Sequence, residues 1–268
     1  MKKNYVIIGI VLMFLFVGLS GCVGPEVTDY FNENYEVNEN TILKVSTING
    51  QIEINNWDGD TILLNAVKKS RIDKEELDLV EINSIESDNQ IEIVAKYVGQ
   101  RTTIPSVDMN IKVPRNITID TVITSNGAIQ ISGIKGDVKS TSSNGGIFIE
   151  NVDGYVSATT SNGRIEINGT TGIADLATSN GNIEVEIFDF LDDISIETSN
   201  GAITVYINSS LNTNIDMTTS NGQIAISGIS LNLTLNEVKH KVGELGEGGN
   251  SIDIHTSNGN INLRKLEI

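Results

Sequence analysis

The sequence predicts an all-β protein: a parallel β-solenoid, helix-like in its winding, with coils of about 18–21 residues and an antiparallel β cap at its N-terminal end. Three observations predict it. Ser-Asn-Gly recurs seven times at nearly fixed spacing, and apolar residues alternate with period two on both sides of each copy. Only 5% of the residues are aromatic, which suits a thin core filled by Ile, Val and Ala.

The repeated corners are Asn126-Gly127, Asn144-Gly145, Asn162-Gly163, Asn180-Gly181, Asn200-Gly201, Asn221-Gly222 and Asn258-Gly259. Their spacings are 18, 18, 18, 20, 21 and 37, so the last interval reads as two periods holding one degenerate copy. The third residue after each asparagine is isoleucine in all seven copies, Ile129 through Ile261, and the fifth is Ile, Val or Leu. With mostly polar residues between them, these positions describe a half-buried strand. A second strand precedes the corner. Its inward positions lie four residues before the asparagine (Val122, Ser140, Ala158, Leu176, Ile196, Met217, Ile254) and six before (Asp120, Val138, Val156, Ala174, Ile194, Ile215, Ile252). Asp120 breaks the pattern. A Thr or Ser two residues before each asparagine shares the inward face.

Asn-Gly accepts positive φ, which a tight corner needs, so the glycines are expected for that reason. Aligned polar residues in neighbouring coils are expected to bond in a ladder, and the motif then needs no ligand to explain it. Each coil adds one strand spacing, so seven to eight coils make a rod on the order of 35 Å long.

The flanking segments read differently. Lys2 and Lys3 precede an apolar run from Val6 to Leu19, which ends at Leu19-Ser20-Gly21-Cys22. This resembles the lipobox of prokaryotic lipoproteins, and it assigns 1–21 as a signal peptide and Cys22 as the lipidated residue. The alternative is an uncleaved anchor helix from Tyr5 to Val23; both place the rest of the chain outside the membrane. Residues 22–40, acidic and without a sustained apolar period, read as a tether. Residues 41–115 read as the antiparallel cap. It contains strands at Ile42–Thr47, Gln51–Asn55, Thr61–Lys68, Leu79–Ile85, Ile91–Tyr97 and Val107–Val113, with a helical turn near Asp73–Leu77 and a hairpin turn at Asp88-Asn89. The repeat solenoid occupies 116–268, closed at its far end by the glycine-rich stretch Asn236 to Asn250.

Several features together are similar to the putative-adhesin, or toast-rack, family of β-strand-repeat proteins. They are Asn49-Gly50, Trp57-Asp58-Gly59-Asp60, Lys68-Lys69 ending a strand, Val113-Pro114, the serial Thr-Ser-Asn-Gly, and Leu245-Gly246-Glu247-Gly248-Gly249 followed by His255-Thr256-Ser257-Asn258-Gly259. The match spans roughly residues 41–268. The resemblance implies a β-solenoid at the cell surface, sometimes tied to envelope-stress systems, and brings no catalytic residues with it.

Chemistry is sparse. Lys plus Arg is 18 against 35 Asp plus Glu, a net charge of −17, which disfavours a nucleic-acid partner. One cysteine excludes an intramolecular disulfide, and His240 and His255 are the only histidines, so zinc and haem are not expected. An 18-residue coil equals two nonapeptides of a calcium roll, but the Gly-Gly-x-Gly-x-Asp turns such a roll requires are missing. No metal or cofactor is expected. No nucleophile elbow is present. Glu166 and Glu184 fall about 5 Å apart on neighbouring strands, near the spacing of a retaining glycosidase pair, although two solvated glutamates are the simpler reading. Sequons at Asn116, Asn168, Asn208 and Asn232 are candidate N-glycosylation sites. Lys239-His240-Lys241 is the densest basic spot of the repeat region, and Trp57 reads as a cap anchor.

The reading that follows is a non-enzymatic surface lipoprotein, held to the extracytoplasmic membrane face by its lipid. It would be an adhesin or an envelope-binding or sensing scaffold, whose partner is an envelope polymer or a surface or membrane protein. An enzyme acting on envelope glycans and a purely structural spacer are the alternatives.

Overall fold

The computed structural model describes residues 26–87, 89–100 and 104–267; the segment expected to be a signal peptide, Cys22 and Asp88 lie outside the described residues. The strands are β1 (Val27–Glu36), β2 (Ile42–Asn49), β3 (Ile52–Trp57), β4 (Thr61–Ser70), β5 (Val80–Ser87), β6 (Gln90–Tyr97) and β7 (Ser106–Pro114), with a 3-10 turn at Leu77–Leu79 before β5. The repeats supply β8 (Thr118–Asn126), β9 (Ile129–Ser132), β10 (Val138–Asn144), β11 (Ile147–Glu150), β12 (Tyr155–Asn162), β13 (Ile165–Asn168), β14 (Gly172–Asn180), β15 (Ile183–Ile187), β16 (Ile194–Asn200), β17 (Ile203–Ile207), β18 (Thr213–Thr219) and β19 (Ile224–Ser227). A hairpin of β20 (Asn232–Asn236) and β21 (His240–Leu245) follows, then β22 (Ser251–Asn258) and β23 (Ile261–Lys265).

Each coil lays one strand in each of two long, mainly parallel sheets. The first sheet has eleven strands, ordered β1-β4-β7-β3-β9-β11-β13-β15-β17-β23-β19. The second has twelve, ordered β20-β21-β18-β22-β16-β14-β12-β10-β8-β2-β6-β5. The coil is therefore two-faced. Nine coils stack in this way, from β6/β7 to β18/β19. The isoleucines after each corner form one buried column, with Ile129, Ile147, Ile165, Ile183, Ile203 and Ile261 each at most 1% exposed. Every such side chain contributes about 1.5–3 kcal/mol by leaving water.

The order of coils in space departs from their order in sequence at both ends. The 37-residue interval between Asn221 and Asn258 holds no degenerate copy. It holds the β20–β21 hairpin, which pairs antiparallel with β18, after which β22/β23 returns and enters between β16/β17 and β18/β19. Near the start, β2/β3 lies between β8/β9 and β6/β7, parallel to both. The segment expected to be an antiparallel cap thus contributes two full coils. Its antiparallel part is confined to β5 on β6 and β4 on β7, with β1, from the segment before it, added beyond β4.

The tether reading fails over β1, which pairs with β4 along its whole length. Val27, Phe31 and Tyr35 alternate on its more buried side, but Asp29 and Glu33 take the positions between them and hide the apolar period. Tyr35 is 2% exposed and donates to Glu33 Oε2 at 2.7 Å; burial first, then this carboxylate, push its phenol well above the usual tyrosine range.

Two inward positions also shift. A bulge in β8, opposite Leu43 and Lys44 of β2, puts Ile119 inside and turns the extra residue, Asp120, outward, 3.3 Å from Lys44 Nζ. A second bulge puts Ile173 inside where Ala174 was expected. An extra residue in one strand of a pair has this effect on which side chain faces in.

Candidate functional site

The corner column is the most ordered feature of the surface. Asn144, Asn162 and Asn180 each donate from Nδ2 to Oδ1 of the asparagine one coil back, at 2.8 Å. Asn200, Asn258 and Asn221 continue the ladder at 2.8–2.9 Å, in the order of the coils in space. Behind it runs a buried ladder. Ser142, Thr160, Thr178, Thr198, Thr256 and Thr219 donate their hydroxyls to the carbonyls of Gly127, Gly145, Gly163, Gly181, Gly201 and Gly259 at 2.9–3.1 Å.

The same carbonyls explain the glycines, and not by φ. Positive φ occurs at Gly50 but at none of the seven later corner glycines. A Cβ on Gly163 would stand 2.0 Å from Gly145 O, and one on Gly201 would stand 1.9 Å from Gly181 O. The close approach of successive coils excludes a side chain.

At the opposite corner, acidic residues fasten coil to coil. Asp137, Asp175 and Asp193 accept the backbone N–H of Tyr155, Ser195 and Ser251, at 2.8, 2.9 and 2.6 Å. Part of the negative charge therefore has a structural use.

The outer face of the first sheet carries Gln130, Phe148, Glu166, Glu184, Thr204, Asn262 and Ala225 in one column. Glu166 and Glu184 are aligned in register, and Arg164 lies between them, 3.0 Å from one carboxylate and 2.6 Å from the other. One guanidinium is thus shared by the two carboxylates, which a retaining pair would need free for the leaving group and the sugar carbon. Next to it, a shallow depression of about 250 Å3 surrounds Phe148. Tyr206, farther along the face, lies beneath Arg264, whose guanidinium is 5.8 Å from the ring centroid.

On the second sheet's outer face, β22 places Asp253 opposite Asp216 and Ser195. Burial first, then Asp216, Asp193 and Glu197, hold its carboxyl above the ordinary aspartate value. His240 Nε2 is 3.0 Å from Asp216 Oδ1, and His255 lies opposite Glu197. Among the described residues, no group of three or more His, Cys, Asp or Glu side chains is placed to hold a metal ion. Lys239 donates to Ser220 O at 2.6 Å and Lys241 to Asn236 Oδ1, so this basic spot binds the end hairpin to itself and to the last corner. Trp57 Nε1 donates to Thr61 O at 2.9 Å, and its ring fills the space that a side chain at Gly59 would need, which makes it the anchor of the β3–β4 turn.

The sequon asparagines stand apart from one another. Asn116 and Asn232 are exposed, the first in a turn and the second opening β20. Asn168 and Asn208 are half-buried, and Asn208 accepts the Ser210 N–H at 3.0 Å. The structure brings no two of them into one site. What sequence reasoning missed is the setting of Phe148. Its signal was the doubled Gly145-Gly146, found at no other corner.

The profile of a family described as Toastrack DUF4097 matches residues 31–264. Similar solved structures include a "putative cell adhesion protein" from Clostridium sporogenes, 13% identical, covering 90% of this chain and 100% of its own, with a TM-score of 0.37. A "putative adhesin" from Bacteroides fragilis is 9% identical over 89% of this chain and 97% of its own, with a TM-score of 0.38. A "putative lipid binding protein" from Parabacteroides distasonis is 15% identical over 91% and 98%, with a TM-score of 0.35. No curated protein sequence matches.

Proposed function

Because the chain belongs to the Toastrack family, we propose that it is a non-enzymatic surface protein, lipid-anchored through Cys22, that presents its solenoid to an envelope polymer, a neighbouring cell or a membrane protein. One observation carries the reading. The first sheet offers an outer face of eleven strands, seven of them adjacent and held in register by the corner ladders, and the depression on it is shallow and open. Such a face is suited to holding an extended partner, whereas catalysis wants a concave site with converging groups. The pair most open to a catalytic reading, Glu166 and Glu184, is already joined through Arg164.

The test is binding of isolated cell envelopes to vesicles that carry the full-length protein, with and without chelator. Saturable binding that ignores the chelator supports the reading. Binding abolished by chelator points to a metal-bridged contact instead. Absence of binding in both conditions leaves a structural spacer and removes the proposal.

A further inference from the structure

The outer face of the first sheet is polar along most of its length, and Phe148 interrupts it with 36% of its surface exposed. A lone exposed apolar residue needs no explanation. This one has two features that a stray side chain lacks.

The first lies beneath the ring. A Cβ built on Gly146 would stand 2.7 Å from Phe148 Cε2 and 2.8 Å from Cζ, so the ring lies across Gly146, down against the sheet. The equivalent position in other coils is Ala128, Arg164, Asn182, Ala202, Gln223 or Asn260. Among these repeats, glycine occurs there only where the residue two places further on is aromatic. A missing side chain thus makes room for a ring that reaches over Gly146 and keeps about a third of its surface open to solvent.

The second lies around the ring. The depression of about 250 Å3 is bordered by Gln130, Ser132, Glu150, Glu166 and Asn168. Each is a hydrogen-bonding group on an outward position of a rigid strand. Ser132 already aims Glu150 by donating to its Oε1 at 3.0 Å, and Arg164 holds Glu166 at 3.0 Å. The volume falls below the ~300–1,000 Å3 that encloses a drug-sized ligand. It suits one ring of a longer chain whose remainder lies on the flat face.

A flat apolar patch encircled by carboxamide, hydroxyl and carboxylate groups complements a pyranose, which has an apolar C–H face and hydroxyls around its edge. Two carboxylates at the rim, on a chain of net charge −17, repel polyanions and admit neutral or amino sugars. Tyr206, the face's other aromatic among the repeat strands, has Arg264 over its ring and offers no comparable open platform.

We infer that the surface around Phe148 is a subsite for a neutral or amino-sugar polysaccharide. One pyranose stacks on the phenyl ring, and its hydroxyls bond to Gln130, Glu150, Glu166 and Asn168. The inference rests on the surface-binding reading above and names the ligand chemistry of that face.

The experiment measures affinity of the full-length protein in vesicles for chitohexaose, cellohexaose and polygalacturonate, alongside the envelope-binding assay. The wild type should bind at least one of the two hexasaccharides and not the polyuronate. Phe148→Ala should weaken that binding by tenfold or more with an unchanged melting temperature. Gly146→Ala, which keeps the ring but lifts it from the sheet, should weaken it severalfold. The subsite is overturned if neither hexasaccharide binds, if Phe148→Ala binds as tightly as wild type, or if polygalacturonate binds as well. Envelope binding that survives any of these results leaves the surface-binding reading intact, and its absence in the wild type removes both.

Discussion

At each corner a single carbonyl oxygen both accepts a buried hydroxyl and occupies the space where the next coil's side chain would begin. Gly145 O takes the Thr160 hydroxyl at 2.9 Å and would stand 2.0 Å from a Cβ on Gly163. Gly163→Ala must therefore push two coils apart. The expected cost is about 4 kcal/mol, the upper end for one substitution, read as a fall in the denaturation midpoint. Thr160→Val leaves the carbonyl buried and unpaired and should cost about 1–3 kcal/mol. Ser140→Ala should have the opposite sign. Ser140 sits 0% exposed in the column of Val122, Ala158 and Leu176, and its Oγ has no partner among the described residues. Removing that hydroxyl should be neutral or stabilise by up to about 1 kcal/mol; if Ser140→Ala instead destabilises as much as Thr160→Val, this account of the two hydroxyls is wrong. The inward columns were legible because period two is a local property of the chain. The cause of the corner glycines was not, because the clash lies between residues 18 or more apart and a sequence shows only that glycine recurs.

For the elements, what decides legibility is whether a strand's inward positions are apolar. Those of β9 through β17 are mostly so, and their alternation shows directly. β1 alternates Val27, Asp29, Phe31, Glu33 and Tyr35, so carboxylates mask a strand whose partner β4 only the fold reveals. Charge also sets the behaviour of β22. The Asp253 carboxyl is raised in the folded protein by burial and then by Asp216, Asp193 and Glu197, so its ionised form opposes folding. Its favourable contribution is present when it is protonated and is lost as pH rises through the raised value. Asp253→Asn should consequently melt higher than wild type at neutral pH. The gap should close as acidification carries the pH through the raised value, and be gone below the ordinary aspartate range. A difference in melting temperature that stays constant across that range would show that Asp253 does not titrate against its acidic neighbours.

Across the whole molecule, the sequence shows the seven Ser-Asn-Gly corners but neither the two coils that precede them nor the order of the coils in space. Every coil carries the same inward columns, so any coil stacks on any other, and connection lengths choose among arrangements that packing does not distinguish. The link between Ile207 and Thr213 spans two strand spacings, about 9.6 Å, which its five intervening residues reach easily. The vacancy so left is filled by β22/β23, delivered there by the β20–β21 hairpin. Until that coil enters, β18/β19 has no parallel neighbour on either sheet, and closing the gap requires contacts distant in sequence, which form late. Pulse-labelled hydrogen exchange during refolding should therefore show the β10–β15 amides protected first, and those of β18, β19, β22 and β23 later and together. Early protection of β18 and β19, ahead of β22, would mean that they first stack directly on β16 and β17 in sequence order. The native arrangement would then require that stack to open and admit the last coil, and a slow phase confined to β16–β19 would be its signature.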